Sequence, residues 1–303
     1  MKRILLSVGI VFSLNAASSQ TLPFKDFYFA SPMLINPAMA GDRIDPTFTL
    51  ISNIPTSGIY GAPASVSFSY DQQLKKINSG IGAVVSRENQ GVHTEWRHTL
   101  MYNYRWKFSG SNELALGGSI FNVDLESDWD KLNSSGVDPY LTGQSRLNYF
   151  NFDVGASYSF FKGTNVGLSL ISYPRIYREN FFFDMYKVRD QRRVVAFLEQ
   201  DLTLNKWLKL RPSVLYTLPG ELPAILNLNA TAYISKWAFV GAQYSNNNSL
   251  NNTSNVFAGL CYNDAIQIGV KVFKKQTQML AYGYRSAAFM LQVSPKRKDE
   301  SKD

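Results

Sequence analysis

From Thr47 onward the chain alternates apolar and polar residues with period two, the mark of strands whose faces meet different surroundings. The clearest run is Tyr149 to Phe160. Phe150, Phe152, Val154, Ala156, Tyr158 and Phe160 share one face; Asn151, Asp153, Gly155, Ser157 and Ser159 share the other. Trp96 to Trp106, Leu226 to Ile234 and Ile266 to Val272 behave alike. Counting such runs predicts about fourteen strands, near 47–54, 64–71, 80–87, 94–106, 113–124, 148–160, 165–172, 192–204, 208–217, 224–234, 238–245, 256–262, 265–273 and 278–293.

A soluble sandwich also alternates, with its apolar face inward. Three features favour a membrane barrel with the apolar face outward. Many runs reach the ~9–11 residues that a tilted span needs, against ~5–6 for soluble strands. Aromatic residues mark the strand ends (Tyr70, Trp96, Trp106, Phe160, Trp207, Tyr216, Trp237, Tyr244, Tyr262), where interfacial girdles belong. The polar faces are rich in Gly, Ser, Asn and charge, which suits a wet or filled interior. Connection lengths agree. Phe161–Thr164, Asn205–Trp207, Ser235–Trp237 and Asn263–Asp264 are short and follow even-numbered strands, as periplasmic turns do. Leu125–Leu147, Tyr173–Gln191 and Ser245–Asn255 are expected as long external loops after odd-numbered ones. The fold class is therefore all-β, a transmembrane antiparallel barrel of about fourteen strands over residues 47–293.

The beginning of the chain changes the picture of location. Lys2 and Arg3 precede an apolar run from Ile4 to Leu14 and then small residues, a secretory signal peptide over 1–19. Ser19 or Ala17 suits the cleavage position, and an outer-membrane destination follows. Cys261 is the sole cysteine, so a disulfide framework is excluded. The formal charge of +8 becomes +6 once Lys2 and Arg3 leave with the leader. Export argues against nucleic acid as its cause. The tail 294–303 mixes both signs and reads as a solvated periplasmic end.

Chemistry is sparse. The two histidines, His93 and His98, fall on opposite faces of one strand and cannot share a metal. A serine hydrolase would need His93 as its base, and no serine pairs with it by sequence. No catalytic set, cofactor or metal is expected, and the chain is read as a non-enzyme. Glu95, Arg97, Arg105, Asp153, Glu199, Asp201, Lys209, Arg211 and Lys271 fall on inward positions. They could line a pore, or lace the interior and grip whatever fills it, since buried charges need partners.

Residues 20–46 fit no regular element. Phe27, Tyr28 and Phe29 are consecutive, and Pro32 and Pro37 forbid a continuous helix. An apolar segment of this kind cannot satisfy its own backbone, so it is expected as a plug, hatch or periplasmic rim piece. The run FYFASPMLINPAMAG, with Asn36, Pro37, Ala38, Ala40 and Gly41, resembles the N-terminal signature of the PorP/SprF-like outer-membrane proteins of the Bacteroidetes type IX secretion system. Gly58, Gly61, Ala62 and Pro63 before ASVSFSYD resemble a second family segment, with Thr56 where the family has Trp. LKLRPSVLYT, ILNLNATAYI, AFVGAQYS and NVFAGLCYND resemble family strands. The approach to the last strand, Ser286–Ala288, and the basic tail depart from the pattern.

That resemblance implies binding rather than catalysis. The partners implied are outer-membrane lipid and lipopolysaccharide, secretion components, and a secreted adhesin-like cargo, with a link to gliding motility. The candidate partner loop is external, at Phe181, Phe182, Phe183 and Tyr186. The rival reading is a hatch-gated channel or small-molecule transporter.

Overall fold

The computed structural model describes residues 27–55, 61–108, 112–131, 143–161, 163–180, 185–219, 224–246, 253–262, 265–275 and 285–295. The expected leader 1–19, Phe181, Phe182, Phe183 and the tail from 296 lie outside these residues. So do Thr56 and Gly58.

Fourteen antiparallel strands run in chain order: β1 Thr47–Pro55, β2 Ala64–Leu74, β3 Ser79–Gln90, β4 His93–Lys107, β5 Glu113–Asp128, β6 Gln144–Phe160 and β7 Thr164–Asn180. Then come β8 Met185–Gln200, β9 Leu208–Pro219, β10 Ile225–Ile234, β11 Ala238–Asn246, β12 Thr253–Tyr262, β13 Ile266–Lys275 and β14 Arg285–Val293. Leu202–Thr203 adds a two-residue pairing to the start of β9. Each strand pairs with its neighbour, and β14 returns to β1 in the register Phe48↔Val293 to Pro55↔Ser286. The sheet closes, so its first and last strands present no edge. Among the described residues no helix is long and apolar enough to cross a membrane.

The faces follow the sequence pattern. On β1, Phe48 and Leu50 are exposed while Thr47, Thr49 and Ile51 are buried. On β4, Trp96, Leu100, Tyr102 and Tyr104 face out, and Arg97, Thr99, Asn103 and Arg105 face in. A polar interior with an apolar exterior inverts the soluble arrangement and suits lipid outside. At one end the turns are short and their backbones are tied to neighbouring turns. Arg105 N donates to Asn78 O at 2.8 Å, Asp201 N to Gly163 O at 2.7 Å and Cys261 N to Trp237 O at 2.7 Å. By the turn-length rule this is the periplasmic end, from which the chain enters β1.

The external side differs from the expectation in one respect. The predicted loop Tyr173–Gln191 is mostly strand, with β7 running to Asn180 and β8 starting at Met185, and Leu125–Leu147 is strand at both ends, where β5 continues to Asp128 and β6 begins at Gln144. The cause is visible in β5. Up to Ile120 the outward residues are apolar. Beyond it Asn122, Asp124 and Glu126 face out while Phe121, Val123 and Leu125 are buried inside. The alternation persists but its polarity reverses, as it must once a strand leaves lipid for water. A rule that required apolar residues outside stopped too early. Tyr186, placed in a loop by sequence, belongs to β8. Strand 192–204 ends at Gln200, and the last strand starts at Arg285, within the described residues.

Candidate functional site

Residues 27–41 lie against the inner wall of the barrel. Phe27, Tyr28, Phe29, Asn36, Ala38 and Ala40 are all buried. Two short 3-10 turns, Pro32–Leu34 and Pro37–Met39, each begin with a proline, whose preset φ suits that position and whose missing N–H is not needed there. Asn36 caps the second. Its Oδ1 accepts the Ala38 amide at 2.9 Å. Its Nδ2 donates to Ala156 O on β6 at 2.9 Å and to Leu168 O on β7 at 3.4 Å.

Such a segment has carbonyls with no partner of its own, and the barrel supplies the donors. Gln292 Nε2 donates to Ala30 O at 2.6 Å, and Ser169 Oγ to Ile35 O at 2.6 Å. Asn103 Nδ2 donates to Ala38 O at 2.8 Å and Ala40 O at 2.6 Å. Arg105 Nη2 reaches Ala40 O at 2.7 Å. Tyr28 shares a hydrogen bond with Ser213 at 2.5 Å. Burial pushes the Tyr28 phenol well above its ordinary pKa, with Glu199 adding to it and Ser213 opposing, so the ring stays neutral.

Shape matches on both sides. Inward glycines leave the room that Asn36 to Ala40 occupies. A Cβ on Gly80 of β3 would lie 2.0 Å from Ala40 O, one on Gly117 of β5 2.6 Å from the Ala38 Cα, and one on Gly155 of β6 2.0 Å from the Asn36 Oδ1. Across the lumen, Phe27 and Phe29 enter an aromatic cluster with Phe239 and Phe257. Phe29 stacks on Phe257 at 5.1 Å and meets Phe239 edge-on at 6.1 Å. Sequence reasoning singled out Phe27, Tyr28, Phe29, Asn36, Pro37, Ala38 and Gly41 but not their receptors. Inward parity was legible for Gly80, Gly117, Gly155, Asn103, Ser169 and Gln292; which of them meet the segment was not.

The predicted lumen charges separate into groups. Arg105 bridges Glu113 at 2.8 Å and the segment at Ala40. Arg97 lies over the Phe121 ring at 3.7 Å and 3.6 Å from Asp153. Arg211 binds Asp201 at 2.6 and 3.1 Å, with Lys209 2.6 Å from the same carboxylate and Glu199 at 3.9 Å. Asp201 sits in the periplasmic turn between β8 and β9. Burial raises its pKa, but the hydrogen bonds and charges of Arg211 and Lys209 outweigh this and hold it below the usual value. Lys271 is buried and donates to Gln243. Glu95 is half-buried and pairs opposite Glu88 of β3. A cavity of about 450 Å³ opens at the periplasmic end between Asp42, Ile44, Lys75, Arg105, Lys107 and Glu113.

His93 and His98 face opposite ways as expected. His93 hydrogen-bonds to Ser127 Oγ at 2.7 Å and meets Trp129 edge-on, while His98 stacks on Trp96. Among the described residues no cluster of His, Cys, Asp and Glu could hold a metal ion.

A closed fourteen-strand antiparallel barrel with a lipid-facing apolar band and a polar inner wall is an outer-membrane β-barrel. Comparison with solved structures agrees on the fold. The CymD monoaromatic hydrocarbon channel aligns with TM-score 0.52 and 10% identity over 88% of this chain and 93% of its own. The Acinetobacter baumannii outer membrane protein Omp33 aligns with TM-score 0.52 and 6% identity over 83% and 98%. A Pseudomonas aeruginosa FadL homologue aligns with TM-score 0.52 and 10% identity over 87% and 93%. At these identities the likeness shows the fold alone. The sequence model of the family described as type IX secretion system membrane protein PorP/SprF matches residues 17–294, so the chain belongs to that family. Among curated proteins nothing matches.

Proposed function

We propose that the protein is a non-enzymatic, partner-binding barrel of the type IX secretion system. In this reading it holds a secreted adhesin-like cargo, or secretion subunits, at the outer membrane, in support of surface attachment and gliding motility. The observation that carries the reading is the seating of residues 27–41. Carbonyls of Ala30, Ile35, Ala38 and Ala40 are met by barrel side chains, and glycines are left bare to admit the backbone. A segment held by a receptor this complete serves as a fixed plug, and it favours a binding scaffold over a conduit.

The test is affinity purification of the tagged protein from its own outer membrane in mild detergent, with mass spectrometry of what remains bound. Recovery of a large secreted protein carrying a sorting domain, or of secretion subunits, supports the reading. A partner-free protein that conducts ions in a planar bilayer overturns it in favour of a hatch-gated channel.

A further inference from the structure

Two neighbouring periplasmic turns each present an open tryptophan. The turn between β8 and β9 carries Trp207, 71% exposed, and the turn between β10 and β11 carries Trp237, 65% exposed. Each tryptophan directly follows a lysine, Lys206 and Lys236, and both lysines are exposed as well.

The backbone holds the two turns side by side. Ser235 N donates to Trp207 O at 2.6 Å, and Trp237 O accepts the Cys261 amide at 2.7 Å. Asn205 shapes the first turn from within. Its Oδ1 accepts the amides of Trp207 at 2.8 Å and Leu208 at 2.9 Å. In the second turn Ser235 takes a left-handed φ of 53°, and the Trp237 amide closes on Ile234 O at 3.3 Å. Lys206 and Lys236 each adjoin the hydrogen-bonded pair Trp207 and Ser235, so their long side chains converge on one region.

Donors dominate this platform. Among the described residues neither lysine has a carboxylate partner, and neither indole N–H has an acceptor. Asp201, the carboxylate of the first turn, is already held by Arg211 and Lys209. The Asn205 oxygen is engaged by backbone amides.

The apolar part of the platform continues the lipid-facing wall. Outward Ile234 on β10, and Leu260 and Tyr262 on β12, are exposed beside the two turns. Indole rings suit such a boundary, with the ring against acyl chains and the N–H at headgroup level. Lysines beside them reach the same level. The negative charge that this surface lacks is what the phosphodiester of an anionic lipid supplies. Lys75 and Lys107 differ. They are exposed at the same end but line the mouth cavity, together with Asp42 and Glu113.

We infer that the paired turns 205–207 and 235–237 bind an anionic phospholipid of the inner leaflet. Lys206, Lys236 and the two indole N–H groups meet its headgroup phosphate, and the rings of Trp207 and Trp237 lie against its acyl chains.

The test is native mass spectrometry of the full-length protein in detergent. The probes are phosphatidylglycerol and, with the same acyl chains, zwitterionic phosphatidylcholine. The parent is expected to bind phosphatidylglycerol about tenfold more tightly. That preference should shrink as salt is raised. Lys206→Gln with Lys236→Gln should abolish the preference, while Lys206→Arg with Lys236→Arg should keep it. Lys75→Gln with Lys107→Gln should behave like the parent. Mobility on an unheated gel checks that each variant is folded. A parent without preference overturns the proposal, as does a preference that survives the Lys206 and Lys236 glutamine pair. Equal loss in the Lys75 and Lys107 pair also overturns it, because the effect would then belong to net charge. If the Lys206 and Lys236 glutamine pair instead loses an acidic periplasmic protein and keeps its lipid preference, the platform is a protein-docking surface and the proposal fails.

Discussion

The side-chain amide of Asn36 donates to the carbonyl oxygen of Ala156, 120 residues later in the chain, at 2.9 Å. Its carbonyl meanwhile caps the turn that Pro37 begins. One side chain thus shapes the segment locally and ties it to β6. Asn36→Ala should lose both functions, leaving the Ala38 amide without its acceptor, at a cost of about 1–3 kcal/mol in anchoring. Limited proteolysis should then cut within residues 27–41 of a barrel that otherwise resists. Protection equal to the parent's would refute the anchoring role.

The glycine seat makes a sharper demand. At Gly80 a Cβ would come within 2.0 Å of the Ala40 carbonyl oxygen, a backbone atom that cannot swing aside. Gly80→Val should expel the segment while β3 keeps its place between β2 and β4. The expected readout is a barrel that still migrates as folded on an unheated gel, with rapid hydrogen exchange over residues 36–41. Bilayer conductance absent in the parent and present in this variant would identify the segment as what closes the lumen.

On the opposite wall buried aromatic area adds to the hydrogen bond from Gln292 to the Ala30 carbonyl. Phe29 contacts Phe27, Phe239 and Phe257. Phe29→Ala should cost about 3 kcal/mol, in line with the loss of a buried aromatic. The damage should be confined to residues 27–31, because Asn36 and Arg105 remain engaged. Exchange that accelerates equally across 27–41 would show that the two halves release together.

The turn between β8 and β9 should respond to acid. Asp201 has a depressed pKa, so its ion pairs with Arg211 and Lys209 stabilise the fold at pH values above the ordinary carboxylate range. The stabilisation is lost as pH falls through the still lower folded value. Exchange of residues 201–208 should therefore rise below about pH 4. In Asp201→Asn the same turn should already exchange faster at neutral pH and show no further acid step.

Much of the architecture was legible because a membrane barrel writes its geometry into parity. Arg97, Arg105, Asp153, Arg211 and Lys271 could be placed inside from their neighbours, since lipid tolerates only one kind of outer face. The irregularity of Phe27–Gly41 likewise announced a segment needing support. Its receptor was not legible. Asn103, Ser169 and Gln292 look like any inward polar residue, and Gly155 like any inward glycine.

Sequence by itself determined the strand number, the order of faces and the membrane-crossing class, because alternation with period two is local and each strand reports on its own surroundings. Family membership was equally a property of local motifs, above all Asn36 to Gly41. Tertiary structure alone decided where the strands end, since β5 keeps alternating after Ile120 with its faces exchanged. It also decided which inward residues meet the N-terminal segment, and that the turns carrying Trp207 and Trp237 are tied together. Those are relations between residues brought together by closure of the sheet. Register and closure are long-range properties, and no window of sequence contains both partners.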